Sequence, residues 1–436
     1  MLAHGIGERG DLPLPVYLFI WGIGLAIVVS FIALGTLWTE PRLAMAAQGR
    51  LVLRRPPLAV LHFLGRSTAF ALYLVCLYAA FGAFDAPDRN VLPVTLYVIV
   101  WVGGQLVGGL LGDLWAAINP IDTLARAAER VSHLFGRTPG TGPVSWGHWP
   151  AAFGLLIFLF YELSHPTGVF PSTLGPLLAV HAGMTLVTGF LWGADWVVDH
   201  EPFSVFFAKV GAMAPLFAIR DESGRHQGIG LRSPMAGLAN MVVKSGTVVL
   251  ILVAIGGTSF DGFSESELGR EFFGGYYSWT LAWAELGGLI VSVTIVSALY
   301  YGGVVWTSNV TGLSFDQTWR EFAPSLVPIA FGYAIAHYFQ LFADESQSFV
   351  FRLSDPLGRG WDLFGGADGL IWRIDPDIVA WVQVGAMLLG HVGAVIVAHD
   401  RSIDLFSANK ALQSQVAMLV VMVAYSTLGL WLLLAA

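Results

Sequence analysis

Uncharged, strongly apolar stretches recur along the whole chain, and ten of them are about long enough to span the roughly 30 Å of a bilayer's hydrocarbon. They predict helices near residues 15–37, 66–84, 91–112, 150–163, 173–193, 236–258, 279–303, 323–343, 378–398 and 413–435. The fourth is short, and the stretch HEPFSVFFAKVGAMAPLFAI (200–219) reads as a re-entrant or interfacial helix. The expected fold is all-α: one polytopic transmembrane helix bundle covering residues 1–436, with no soluble domain. A weak repeat marks three helix ends. Trp115, Asn119 and Pro120 precede one amphipathic stretch, Trp196, His200 and Pro202 precede another, and Trp306 and Asn309 close the seventh helix. Hairpin repeats of this kind occur in transporter folds.

Composition strengthens the membrane assignment, because 56% of the residues are apolar and only 12% charged, about half the charge of a soluble domain. The basic residues set the expected orientation. Arg42, Arg50, Arg54, Arg55, Arg126, Arg130, Arg137, Lys209, Arg220, Arg225, Arg232, Arg320, Arg401 and Lys410 fall in the loops after the odd-numbered helices. The opposite loops and the N-terminus hold Arg9, Arg89, Arg270, Arg352, Arg359 and Arg373. By the positive-inside rule both termini lie outside, which in a bacterium means the periplasmic side of the inner membrane. Residues 1–14 lack the pattern of a signal peptide, so the first helix directs insertion. No basic patch points to nucleic acid. The single cysteine, Cys76, is expected as a buried thiol.

Ionisable residues inside apolar helices are costly and usually line cavities or pair with each other. Glu285, His181, His337 and Gln383 are expected to share a layer roughly 8 to 12 Å below the outer surface at 1.5 Å per helical residue. His337, Gln340 and Asp344 fall on one helix face and extend that layer outward. Glu162 and His165 have the Glu-x-x-His spacing that presents a carboxylate and an imidazole together. His391 lies deeper, while His399, Asp400 and His200 sit at helix ends where capping is the expected role. Histidines and carboxylates from several helices suit a divalent transition metal such as zinc, manganese or iron. His181, His337 and His391 are the candidate ligands, and Glu162, Glu285 and Asp344 the candidate acid–base groups. Trp283 and Trp361, with Tyr276, Tyr277 and Trp279, are candidate cavity lining or an interfacial aromatic belt. No His-Glu-x-x-His, Cys-x-x-Cys or P-loop pattern is present.

Four segments carry a resemblance: HGIGERGDLPLP (His4 to Pro15), AHYFQLF (Ala336 to Phe342), SDPLGRGWDLFG (Ser354 to Gly365) and VQVGAMLLGHVGAVIVAHDR (Val382 to Arg401). Together they resemble the bacterial membrane proteins of the fenitrothion hydrolase family. The resemblance implies hydrolysis of an organophosphorus triester, and it adds His4, beside the outer mouth, to the candidate metal ligands. A lipophilic ester that enters from the bilayer and meets a metal-bound hydroxide is one coherent reading. A transporter or metal-handling protein with an intramembrane Glu/His relay is a second. A haem-binding electron-transfer subunit, with His181 and His337 as axial ligands, is a third.

Overall fold

A computed structural model of the chain describes residues 16–54, 58–220, 226–365 and 371–434. His4 and the rest of the N-terminal motif lie outside the described residues. Ten apolar helices dominate: α1 (Val16–Leu37), α2 (Leu58–Gly82), α3 (Val91–Leu111), α4 (Trp149–Leu163), α5 (Pro171–Trp192), α6 (Thr247–Glu265), α7 (Ser278–Thr311), α8 (Leu326–Ser354), α9 (Pro376–Leu405) and α10 (Ala408–Leu434). Among the described residues nine of these regions are long and apolar enough to cross a membrane, and α4 is apolar but shorter. Large apolar side chains such as Leu25, Phe63, Met184, Val291, Leu389 and Val420 stand exposed around the bundle. A sheath of this kind suits lipid, whereas a soluble protein rarely displays so large an apolar surface.

The helices alternate in direction, so the connections gather at two ends of the bundle. The connections 83–90, 164–170, 266–277 and 355–365 with 371–375 occupy one end, here the short-loop end, and 38–54, 112–148, 193–220 with 226–246, 312–325 and 406–407 the other, the long-loop end, which holds the two longest connections. At the long-loop end a small antiparallel sheet ties two connections together. Its strands β1 (Arg50–Arg54), β2 (Leu216–Arg220) and β3 (His226–Leu231) run in the order β1-β3-β2. The run LFAIR carries a single charge and continues the apolar 200–219 stretch, whereas RLVLR has an arginine at each end. Arg232 pins the sheet to the bundle: its Nε donates to the Ala214 carbonyl at 3.0 Å, and its guanidinium lies over the Phe217 ring.

Helix α6 departs from the expected 236–258. Residues 236–240 form a single 3-10 turn, and Gly246 (φ +83°) then turns the chain before α6 begins at Thr247. A side chain at Gly246 would collide with the backbone of His148 and Trp149, so only glycine suits both the left-handed turn and the close approach. Once shifted, α6 continues through Asp261 to Glu265. Helix α8 likewise runs eleven residues past the expected 343. Its last turns are held by Gln347, which donates to the Trp372 carbonyl at 2.7 Å and accepts from the Trp372 amide at 2.9 Å.

Two interruptions of regular helix give the interior its character. The middle of α3, Val94–Val102, is π-helical, a geometry that is rare and concentrated at functional sites. At the long-loop end, two helix–proline–helix hairpins turn back into the bundle. The first pairs Leu114–Ile118 with Pro120–Leu134, and the second pairs Ala194–His200 with Pro202–Gly211. Each second helix starts with proline and is capped by the residue before it. Asn119 Oδ1 accepts from the amides of Ile121 and Asp122, and Glu201 accepts from those of Phe203 and Ser204. These are the N-terminal amides that helix geometry leaves unsatisfied.

Candidate functional site

Asp261 and His337 form the centre of the interior. Asp261 is 3% exposed on α6, and its Oδ2 accepts from His337 Nε2 on α8 at 2.9 Å. Because Nε2 carries the donated proton, the ring of a neutral His337 keeps an open lone pair on Nδ1. That atom faces Gly262, where a Cβ would stand 3.7 Å away in ordinary contact. Around the pair α3 contributes Tyr97 and Trp101, α4 contributes Glu162, and α8 contributes Tyr338. The charges of Asp261 and Glu162 both act on Tyr338. The Tyr338 hydroxyl lies within reach of both Asp261 and Trp101, while Glu162 Oε2 is buried with no hydrogen-bond partner among the described residues. A buried carboxyl oxygen without a partner is costly, and it marks a place suited to water, a proton or a polar ligand.

Beneath this cluster an aromatic layer separates it from the hairpin tips. Trp101 packs against Phe158 (5.3 Å between ring centres), Phe206 (5.7 Å) and Phe203 (6.2 Å), and Phe158 meets Phe203 edge-on at 5.1 Å. Trp101 lies near the middle of α3, so Phe203, at the start of Pro202–Gly211, has penetrated to about half the depth of the bundle. The hairpins touch tip to tip there, with Asn119 Nδ2 donating to Ser204 Oγ at 2.8 Å. Glu201 is 5% exposed at the same level, and its carboxylate lies 3.8 Å from His181 Nε2 on α5. Asp122, just past the first tip, pairs with Arg66 of α2 and with Arg126.

The expected common layer therefore divides. His337 pairs with Asp261, His181 with Glu201 of the second hairpin, and Glu285 stands on α7 where the charge of Glu265 is its ionisable neighbour. Helix α7 packs on α6 and α10, and α8 packs on α3, α6 and α9. Among the described residues no three His, Cys, Asp or Glu side chains form a metal-ligand group, and His181 and His337 each have a different carboxylate partner. Of the Glu-x-x-His pair, Glu162 belongs to the central cluster. His165 instead stacks on Tyr161 at 4.9 Å and meets Trp279 edge-on at 5.0 Å, while its Nδ1 accepts from the Thr167 amide.

The other candidates lie apart from the centre. Gln383 is buried on α9 and Gln340 half-buried on α8. Asp344 lies farther towards the short-loop end, where Arg373 and Glu345 act on its charge. Trp283 is exposed and stacks on Phe160, and Trp361 is exposed with the Arg359 guanidinium over its ring. His391 is 1% exposed on α9. His399 bridges the Gln415 side chain and the Trp38 carbonyl, and Asp400 Oδ1 accepts from Trp38 Nε1 and the Arg42 amide, so both fasten the end of α1 to α9. Lys244 pairs with Asp199 of the second hairpin, and helix α6 starts only after it.

The long-loop end carries an acid-sensitive joint. His148, just before α4, is buried, and its Nδ1 lies 2.7 Å from Thr247 Oγ1. The Thr247 hydroxyl also accepts from the Lys244 amide, and on the other side of the ring Nε2 lies 3.7 Å from the Asp199 carboxylate. Burial first, and then the charge of Lys209, push the His148 pKa down to about 4. The folded state therefore binds this proton less readily than the unfolded chain. His148 costs no stability above pH about 6.5, and the penalty grows as pH falls towards 4, to the order of 3 kcal/mol. Purified protein should melt at a lower temperature at pH 5 than at pH 7.5, and His148→Gln should shrink that difference. An unchanged pH dependence in the variant would remove His148 from the joint.

Asp261, Glu201 and Ser204 are among the residues that the sequence reading missed. A turn signal was available for the first, since Lys244-Ser245-Gly246 breaks the apolar run and moves α6 towards Asp261. Compared with known proteins, the chain matches no family model, no curated protein and no solved structure.

Proposed function

We propose that the chain is a transport protein of a bacterial inner membrane, with ten spans, both termini outside, and Glu162, Asp261 and His337 as its central proton- or solute-binding groups. The observation that carries this reading is the pair of hairpins meeting at mid-depth beneath the ionisable cluster. Interrupted helix inside a bilayer is tolerated where it is buried in protein or lines a water-filled path. Broken helices that end near the midplane are a recurrent way for transporters to build a substrate site. The aromatic layer of Trp101, Phe158, Phe203 and Phe206 then lies between the ionisable cluster and the polar hairpin tips. The orientation rests on the basic residues gathered in the long connections.

Alternating exposure of the centre can be tested without knowing the solute. Cys76 would be replaced by alanine and Gly262 by cysteine, placing a thiol beside His337. In sealed vesicles of each orientation, a membrane-impermeant maleimide should label Gly262→Cys from both sides. Labelling confined to one side would reject transport.

A second reading, hydrolysis of a lipophilic ester such as an organophosphorus triester, is favoured by the His337–Asp261 dyad. A carboxylate that fixes the imidazole tautomer leaves Nδ1 as a general base for water, a role worth about 10² to 10⁴ in rate. The donor set does not fit a divalent metal, so no step is routed through one. Turnover of a nitrophenyl phosphotriester that disappears in His337→Gln, together with one-sided labelling, would favour this reading over the first.

A further inference from the structure

A second site stands apart from the central cluster. Helices α6, α7, α8, α9 and α10 enclose a cavity of about 40 Å³ lined almost wholly by apolar side chains. The potential metal donors on its wall are His391, Met418 and Met422. His391 Nδ1 donates to the Met387 carbonyl at 2.8 Å, and a carbonyl can only accept, so a neutral ring has its free lone pair on Nε2. That Nε2 is buried with no hydrogen-bond partner. The two methionines are four residues apart on α10, which places their thioethers on one helix face. Gly303 of α7 leaves the space that the Met418 sulfur fills, since a Cβ there would stand 2.5 Å from Sδ.

We propose that this cavity binds a soft monovalent cation, Cu(I), through His391 Nε2 and the thioethers of Met418 and Met422. Three features support that choice. Thioether sulfur selects Cu(I) over the harder divalent ions. The donors are neutral, and a single charge costs about a quarter of the desolvation of a double one, because the Born energy rises with the square of the charge. Finally, an imidazole whose other nitrogen donates to a backbone carbonyl is the usual arrangement of a histidine ligand, with ring orientation and tautomer already set. The cavity holds a water-sized particle, so an ion fits between the five helices once the Met418 thioether turns from Gly303 towards His391.

The test uses the full chain purified in detergent under argon with ascorbate, loaded from a Cu(I)–bathocuproine complex and desalted. About one copper per chain should remain, with sulfur and nitrogen scatterers in the X-ray absorption spectrum, and zinc offered in the same way should not. Met418→Leu and Met422→Leu nearly preserve side-chain volume, and each should weaken retention against bathocuproine at least tenfold, the double variant abolishing it. Copper retained equally by the double variant, a shell of nitrogen and oxygen alone, or no copper in the unmodified protein would each overturn the site. The absorption spectrum decides the matter even if the variants fail to fold. The transport reading is independent of the outcome, because Gly262 lies at the other site.

Discussion

Asp261→Ala should lower stability by about 1 to 3 kcal/mol and eliminate function. Removing the acceptor leaves the buried Nε2–H of His337 without its hydrogen bond. Asp261→Asn separates structure from chemistry. Its amide oxygen still accepts from Nε2, so the fold should survive at a cost of about 1 kcal/mol, while the group can no longer take up or release a proton. Thermal unfolding in detergent, combined with two-sided labelling at Gly262→Cys or with ester turnover, measures both effects. An alanine variant as stable as the parent would mean that the pair contributes little to this interior.

Gly332→Leu should prevent assembly of the folded protein, through backbone contact. Where α8 crosses α9, a Cβ on Gly332 would stand 2.6 Å from the Ala386 carbonyl oxygen and 2.8 Å from Gly390 Cα. A Cβ on Gly390 would reciprocally meet the Pro328 carbonyl oxygen at 2.7 Å. Small residues at such crossings let membrane helices pack backbone to backbone. Backbone atoms cannot swing aside as a side chain does, so the two helices would have to separate. Overpacking usually costs 1 to 3 kcal/mol, and the cost here should exceed that range. The readout is the fraction of detergent-extracted protein that elutes as a single sharp species. Gly385→Leu serves as a control, because nothing lies near a Cβ at that position. Equal yields of the two variants would show that the crossing tolerates separation.

Helix positions were legible wherever an apolar run and its boundaries coincided, as in α1, α3, α4 and α5. The error at α6 was more consequential. Residues 236–246 are apolar enough to extend a helix backwards, and doing so left Asp261 in an apparent loop, although the residue is buried beside His337. The partner of His181 was hidden for a different reason. Depth counted along each helix assumes that nearby groups arrive from other spans, whereas Glu201 reaches His181 on a chain that has already left the bundle and turned back. The repeated Trp, Asn or His, and Pro residues fall at the breaks of both hairpins, and the 200–219 stretch, expected as a re-entrant or interfacial helix, is helical only over Pro202–Gly211 and ends in the strand that starts at Leu216. The hairpins' mutual contact through Asn119 and Ser204 depends on three-dimensional placement, which neither segment encodes alone. Glu285, by contrast, shows how weakly depth constrains contact, because residues at one level still lie on different sides of a helix.

The pairing of the first helix with the last two has a consequence for biosynthesis. Phe19, Ile23 and Ile27 form the buried stripe of α1, and it is α9 and α10 that cover it, with Phe19 edge-on to Trp381 and Gly24 near Val423 and Thr427. At roughly 5 to 20 residues per second, a ribosome that has just released α1 needs about 20 to 70 s to deliver those partners. During that interval the stripe faces lipid or an insertion chaperone, and Trp38 waits for His399 and Asp400. Truncation before residue 376 would therefore leave the earliest segment orphaned, and a quality-control protease that recognises unpaired membrane helices would find its target at the start of the chain.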